Sequence, residues 1–161
     1  MKKSSKGFSL IELLIVVAII LIIAAIAIPN LLRSRIAANQ ASAVGSLRTL
    51  NTAEITYSST YNVGFTNALS WLQPPATAGA NPTSTAAGLI DSVLASGSKS
   101  GYSFTYSPGA SDTTGRINTY AITAQPITSS TGTNYYYTDQ SGVIRQNSTT
   151  TAQSTDSPIA G

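Results

Sequence analysis

The stretch Lys6-Gly-Phe-Ser-Leu-Ile-Glu-Leu13 opens an apolar run that continues to Ile28. Glu12 is the only charged side chain in that run, and no later residue of it is polar. The run from Phe8 to Ile28 has 21 residues. As a helix it would be about 31 Å long, close to the thickness of a bilayer core. A carboxylate there costs about 2.5–3.5 kcal/mol, less near the end of the helix, so it needs a partner. The next basic residue is Arg33, and we therefore expect that partner on another chain.

The basic residues before the run, the pair Gly7-Phe8, the glutamate and Pro29 at the end of the run resemble the amino terminus of a type IV pilin or a related pseudopilin. The resemblance covers roughly residues 1–30. It implies that a dedicated peptidase cuts after Gly7 and that the same enzyme N-methylates Phe8. It also implies that Glu12 neutralises the terminal amine of a neighbouring subunit during filament assembly.

Helical periodicity continues beyond Pro29, which is expected to kink or locally loosen the helix because it lacks an N–H donor. In relatives the stretch before this proline can melt on assembly, often helped by a glycine. Leu21 stands where that glycine is expected, so extensive melting is not predicted. After the proline an apolar stripe recurs at three- and four-residue spacing, which predicts one helix from Phe8 to about Tyr61. The stripe comprises Ile36, Ala43, Leu47, Leu50, Tyr57 and Tyr61.

The net charge of +3 is a property of the first seven residues. Three of the nine basic residues lie there, and without them six basic side chains match six acidic ones. The excess of basic residues therefore belongs to the leader peptide, residues 1–7, that the resemblance implies, and it gives no evidence for a nucleic-acid-binding face.

Two other interpretations of the amino terminus remain open at this point. An ordinary secretory signal would use Ala25-Ile26-Ala27 as its cleavage site, but such signals have apolar stretches of about 7–15 residues without a carboxylate. A plain membrane anchor would need neither the Gly7-Phe8 pair nor Glu12 at its fixed spacing. The excess of lysines before the run favours an amino terminus on the inner side of the membrane.

The remaining hundred residues predict a small α+β domain, residues 62–161, packed against an amphipathic helix half, residues 29–61. Residues 62–100 are rich in Pro, Gly, Ser and Thr, with one short helix near Leu89–Leu94 that Ser84 could cap and Gly97 could end. Four short antiparallel strands follow, one of them joined to the next by a hairpin at 139–142. They are Tyr102–Tyr106, Asn118–Ala124, Asn134–Thr138 and Val143–Gln146. The tail after Asn147 is expected to be mobile.

Catalysis is not expected, because the chain has no His and no Cys and its carboxylates are scattered. No cofactor or metal is predicted. Asp112 and the loop Asp139-Gln-Ser-Gly142 suggest a calcium site. Each has too few carboxylates nearby for that ion, and the turn-forming tendency of Asp, Ser and Gly explains both. The tyrosines could also form an electron-transfer track, but the helical stripe and the strand preference of tyrosine already explain their positions.

The sequence therefore predicts a filament subunit, with residues 8–28 as a transmembrane and filament-core helix. By resemblance, its partners are other copies of itself, the prepilin peptidase and methyltransferase, an assembly ATPase acting through a platform protein, and minor pilins. It would reside in the inner membrane as a precursor and on the bacterial surface in an extracellular pilus. Two alternatives remain: a type II secretion pseudopilin, and a membrane-tethered binding module that does not polymerise.

Overall fold

The computed structural model describes residues 8–159. They form two compact units that divide after Arg35, and each is described by itself. Helix α1, Leu10–Tyr61, is continuous through Pro29 and supplies both the apolar run and the amphipathic stripe. It ends where Asn62 adopts a left-handed conformation, with φ at +54°. Asn tolerates that conformation better than most residues, which explains why the helix stops at the predicted Tyr61.

The second unit contains five antiparallel strands in the order β1-β2-β3-β4-β5, so the predicted α+β class is confirmed. The strands are β1, Ser98–Lys99; β2, Tyr102–Pro108; β3, Tyr120–Pro126; β4, Tyr135–Asp139; and β5, Arg145–Asn147. Four strands were expected. The additional one, β1, has only two residues, and it exists because Lys99 pairs with Tyr102 across a tight turn. So short a strand has no alternation that a sequence pattern could reveal.

The core lies between one face of α1 and the sheet. Ala43, Leu47, Leu50 and Tyr57 of the predicted stripe are fully buried, whereas Ile36 and Tyr61 at its ends are half-buried. Every second side chain of the strands points into this core, because successive side chains of a β-strand lie on opposite faces of the sheet. These are Tyr102 and Phe104 on β2, Tyr120, Ile122 and Ala124 on β3, and Tyr136 on β4.

The connection between α1 and the sheet contains a 3-10 turn, Leu69–Leu72, and the short helix α2, Ser92–Ala95. The prediction that Ser84 caps this helix is wrong. Asp91 is the cap, since its Oδ1 accepts the Leu94 N–H at 2.8 Å. The helix starts later than expected because the N–H groups of Leu89 and Ile90 donate to the Leu72 carbonyl, which fixes that stretch against the 3-10 turn. Gly97 follows the helix with φ at +79°, as predicted for its C-terminal end.

The segment after β5 folds back and hydrogen-bonds to it, and the predicted mobility of this tail stays a prediction. Ile159 N–H donates to the Ile144 carbonyl at 2.9 Å, and Gln146 N–H donates to the Ser157 carbonyl at 3.0 Å. The Arg145 guanidinium also donates to the Asp156 carbonyl at 2.9 Å. Ala152 of this segment is also buried and Ile159 packs against the core, so hydrogen bonds and apolar contacts together hold the segment.

Candidate functional site

The apolar half of α1 is exposed on all sides within its own unit. From Phe8 to Ile28 only Ala24 is even half-buried, and the large side chains range from 46% exposed at Val17 to 79% at Leu10. Its most apolar 18-residue window has a mean hydropathy of 3.3, and the helix is long and apolar enough to cross a membrane. An apolar surface of this extent is unfavourable in water, so lipid or other protein has to cover it.

Glu12 caps the helix to which it belongs. Because α1 begins at Leu10, Ser9 occupies the N-cap position and Glu12 is the third helical residue. The Ser9 backbone N–H donates to Glu12 Oε2 at 2.9 Å, which is half of a capping box. A carboxylate also interacts favourably with the positive end of the helix dipole. The spacing Ser9-x-x-Glu12 carries this signal, and the sequence analysis missed it.

The charge of Glu12 is not matched by a cation within the described residues. The ion pair found between positions 8 and 159 joins Lys99 to Asp91 in the second unit, at 2.9 Å. The hydrogen bond from Ser9 to Glu12 is exposed, and its donor is an uncharged backbone N–H. Among residues 8–159, Glu12 therefore has no ion-pair partner.

The other predicted site residues are found as follows. Phe8 is 76% exposed, and Pro29 lies inside α1 without ending it. Gly7 lies outside the described residues, as does the rest of the predicted leader. The predicted roles stay predictions: processing at Gly7 and Phe8, assembly through Glu12 and bending at Pro29.

The loops considered for calcium are organised as turns. Asp112 Oδ1 accepts the N–H groups of Thr114 and Arg116 at 2.8 and 3.0 Å, and Asp112 Oδ2 accepts the Asn118 amide at 2.9 Å. The Thr114 hydroxyl and these donors hold the pKa of Asp112 well below its usual value. Asp139 Oδ1 likewise accepts the Ser141 N–H at 2.9 Å. Hydrogen-bond donors therefore occupy the carboxylate oxygens of Asp112 and Asp139 that a cation would need. Among residues 8–159 no cluster of three potential metal ligands occurs.

A buried carboxylate in the second unit was also missed by the sequence analysis. Glu54 is fully buried, and both of its oxygens accept hydrogen bonds from Thr66, at 3.0 Å from the N–H and 2.5 Å from the hydroxyl. Burial raises the pKa of the Glu54 carboxyl, while the Thr66 bonds act in the opposite direction. Its position had a signal, because Glu54 falls four residues after Leu50 and three before Tyr57, on the apolar stripe itself.

Together these features define a chain with an exposed, membrane-length apolar helix joined to an α+β unit. Residues 2–28 match the family described as the prokaryotic N-terminal methylation motif. Over part of its length the chain is also similar to type IV major pilins. It is 65% identical over 37 residues to the type IV wide pilus major component PilA4 of Thermus thermophilus, covering 23% of this chain and 28% of that one.

A second relative is the type IV major pilin protein PilA of Myxococcus xanthus, which is 52% identical over 50 residues, covering 31% of this chain and 23% of that one. The chain thus spans only about a quarter of the length of each of these curated relatives. No solved structure matches the chain significantly.

Proposed function

We propose that this chain is a structural subunit of a type IV pilus, made as a precursor, cut between Gly7 and Phe8, N-methylated at Phe8 and polymerised through residues 8–28. The single observation that carries the proposal is the all-round exposure of an apolar helix whose first residues, 10–28, fall within the methylation motif. The printed names of both relatives describe major pilus components, which favours a pilus over a type II secretion pseudopilus and over a tethered module. The subunit acts as a building block and not as an enzyme.

Polymerisation is driven by the need to keep residues 8–28 covered. In the inner membrane, lipid covers the helix. Once the subunit leaves the membrane, each large apolar side chain left in water would cost about 1.5–3 kcal/mol, so neighbouring helices must replace the lipid. Small residues along the helix, Ala18, Ala24, Ala25 and Ala27, permit the close approach that such packing requires.

Glu12 sets the axial position of each subunit in this proposal. A terminal amine of Phe8 on a neighbouring subunit would pair with Glu12, while the Ser9 N–H keeps the carboxylate oriented at the start of the helix. In an apolar bundle an unpaired charge penalises every other stagger, which specifies one arrangement.

The remaining parts of the chain and its partners take roles that follow from this one. Residues 29–61 connect the core helix to the outer domain, residues 62–161, and Pro29 bends the connection. The proposed partners are the prepilin peptidase and methyltransferase, an assembly ATPase working through a platform protein, and minor pilins. The subunit pool resides in the inner membrane and the assembled filament on the cell surface.

Electron microscopy of material sheared from cells tests the proposal, with gold-labelled antibody against residues 62–161. We expect labelled filaments from cells that express the wild-type chain. Gly7→Phe should leave only precursor in the membrane, because a side chain there obstructs a peptidase fitted to a bare backbone. Lys6→Ala is the matched control and should assemble. Labelled chain confined to membranes in wild-type cells would support the tethered module instead.

A further inference from the structure

Residues 62–66, here called the latch segment, turn back from the end of α1 and are held at several points. Asn62 and Gly64 have positive φ values of 54° and 85°, which reverse the chain. The Phe65 N–H donates to the Ile117 carbonyl at 2.8 Å, and its ring packs edge-on against Tyr120 with centroids 4.7 Å apart. Thr66 completes the segment and is fully buried.

The latch segment is fastened to α1 through Glu54. Thr66 gives both its N–H and its hydroxyl to the two carboxyl oxygens of Glu54. The Tyr106 hydroxyl, on β2, donates to the Thr66 carbonyl at 2.8 Å. A helix residue, a loop residue and a strand residue therefore share one buried polar cluster.

The groups that face Glu54 do not neutralise a negative charge there. They are the phenols of Tyr57 on α1, Tyr106 on β2 and Tyr120 on β3, and burial raises the pKa of each phenol. Within residues 8–159 no Lys or Arg lies within ion-pair distance of Glu54. Arg116, which approaches the latch segment, donates to Asn62 Oδ1 at 3.2 Å.

We propose that Glu54, Thr66 and Tyr106 form a pH-operated latch, which holds the latch segment on α1 while Glu54 is protonated and loosens it when Glu54 ionises. Water can hydrate the ionised carboxylate only if the segment that covers it moves away. An uncompensated buried charge favours that opening, whereas a neutral carboxyl group keeps the bond from the Thr66 N–H and can give its own proton to the Thr66 hydroxyl oxygen.

The direction of the pH effect follows from the raised pKa of Glu54 in the folded chain. Its contribution to stability is fully present below the ordinary carboxyl value of 4.5 and is lost as pH rises through the higher folded value. Over that window the ratio of open to closed latch increases by up to about tenfold per pH unit.

Two measurements on the full-length chain in detergent micelles test this latch. The carboxyl carbon of Glu54, followed by NMR against pH, should titrate above the ordinary range. Trp71, the single tryptophan, lines a cavity of about 300 Å³ together with Val63 and Phe65 of the latch segment. Its accessibility to a fluorescence quencher should rise over the same pH range.

Variants separate a titrating latch from a merely structural contact. Glu54→Gln keeps the shape of the side chain and should make Trp71 quenching independent of pH. The Tyr106 hydroxyl lowers the pKa of Glu54, so Tyr106→Phe should move the wild-type transition to higher pH, which keeps the proposal testable if the Gln variant folds poorly. Asp91→Asn, a change at an exposed carboxylate, should leave the transition in place. A Glu54 carboxyl that titrates at or below 4.5, or a Trp71 transition equal in wild type and Glu54→Gln, would overturn the latch.

Discussion

The backbone N–H of Ser9 donates to Glu12 Oε2 across 2.9 Å, so the one carboxylate in the apolar half of α1 already has a neutral partner in its own chain. Two roles for Glu12 are thereby separable. Capping needs only an oxygen acceptor, whereas pairing with the amine of a neighbouring subunit needs a negative charge.

Glu12→Gln distinguishes these roles, because Gln retains an acceptor for the Ser9 N–H and has no charge. We expect the Gln variant to be processed and to accumulate in the membrane, with filaments lost or scarce. Glu12→Ala should behave in the same way and insert more easily, since it lacks the charge as well. Immunoblots of sheared and membrane fractions measure the outcome. Normal filament yield from Glu12→Gln would show that capping alone is required.

Pro29→Ala should impair assembly less than the changes at Glu12. The substitution adds a backbone N–H, restores a helical hydrogen bond and straightens the expected bend, which alters how the outer domains meet. The same fractionation gives the ratio of filament to membrane protein. Asn30→Ala, at the neighbouring exposed position, is the control and should resemble wild type. Equal yields from Pro29→Ala and Asn30→Ala would contradict a role for the bend.

Gly64→Ala should destabilise the second unit more than Gly79→Ala. Both glycines have positive φ values, 85° and 81°, so both substitutions carry a similar backbone strain. A side chain on Gly64 would also collide with the backbone of Ile117, whereas one on Gly79 meets open space. Urea unfolding followed by Trp71 fluorescence should show a difference of about 1–3 kcal/mol between the variants. Equal midpoints would mean that Ile117 moves aside freely.

Acidification should weaken the loop that Asp112 organises. Its folded pKa lies below the usual value of 3.8, so its contribution to stability is present at neutral pH and is lost as pH falls below about that value. Asp112→Asn should lower the unfolding temperature at pH 7, because the amide nitrogen that replaces Oδ2 cannot accept from the Asn118 side chain. The difference from wild type should shrink at low pH. A difference that is constant with pH would exclude ionisation of Asp112 as its cause.

The sequence predicted the parts of the fold that depend on periodicity. The stripe from Ala43 to Tyr57 and the alternation in β2 to β4 repeat over several residues, so they were found, and Asn62 explains the end of α1. Glu54 was overlooked although it lies on the stripe, because its burial depends on Thr66 and Tyr106, which lie 12 and 52 positions later in the chain. Such partners are brought together only by the tertiary fold.

The site at the amino terminus was predicted in outline from a short motif. The Gly7-Phe8 pair and Glu12 gave the expected match to the methylation motif. The local bond between Ser9 and Glu12 was not predicted, because Glu12 was considered only as a charge and not as an acceptor for the N–H at the start of its own helix.

Intact-mass spectrometry of the protein recovered from sheared filaments tests the filament-subunit proposal most directly. We expect a chain that begins at Phe8 and carries one additional methyl group. A filament protein that begins at Ile28, after an ordinary signal cleavage, or that retains residues 1–7 would contradict it.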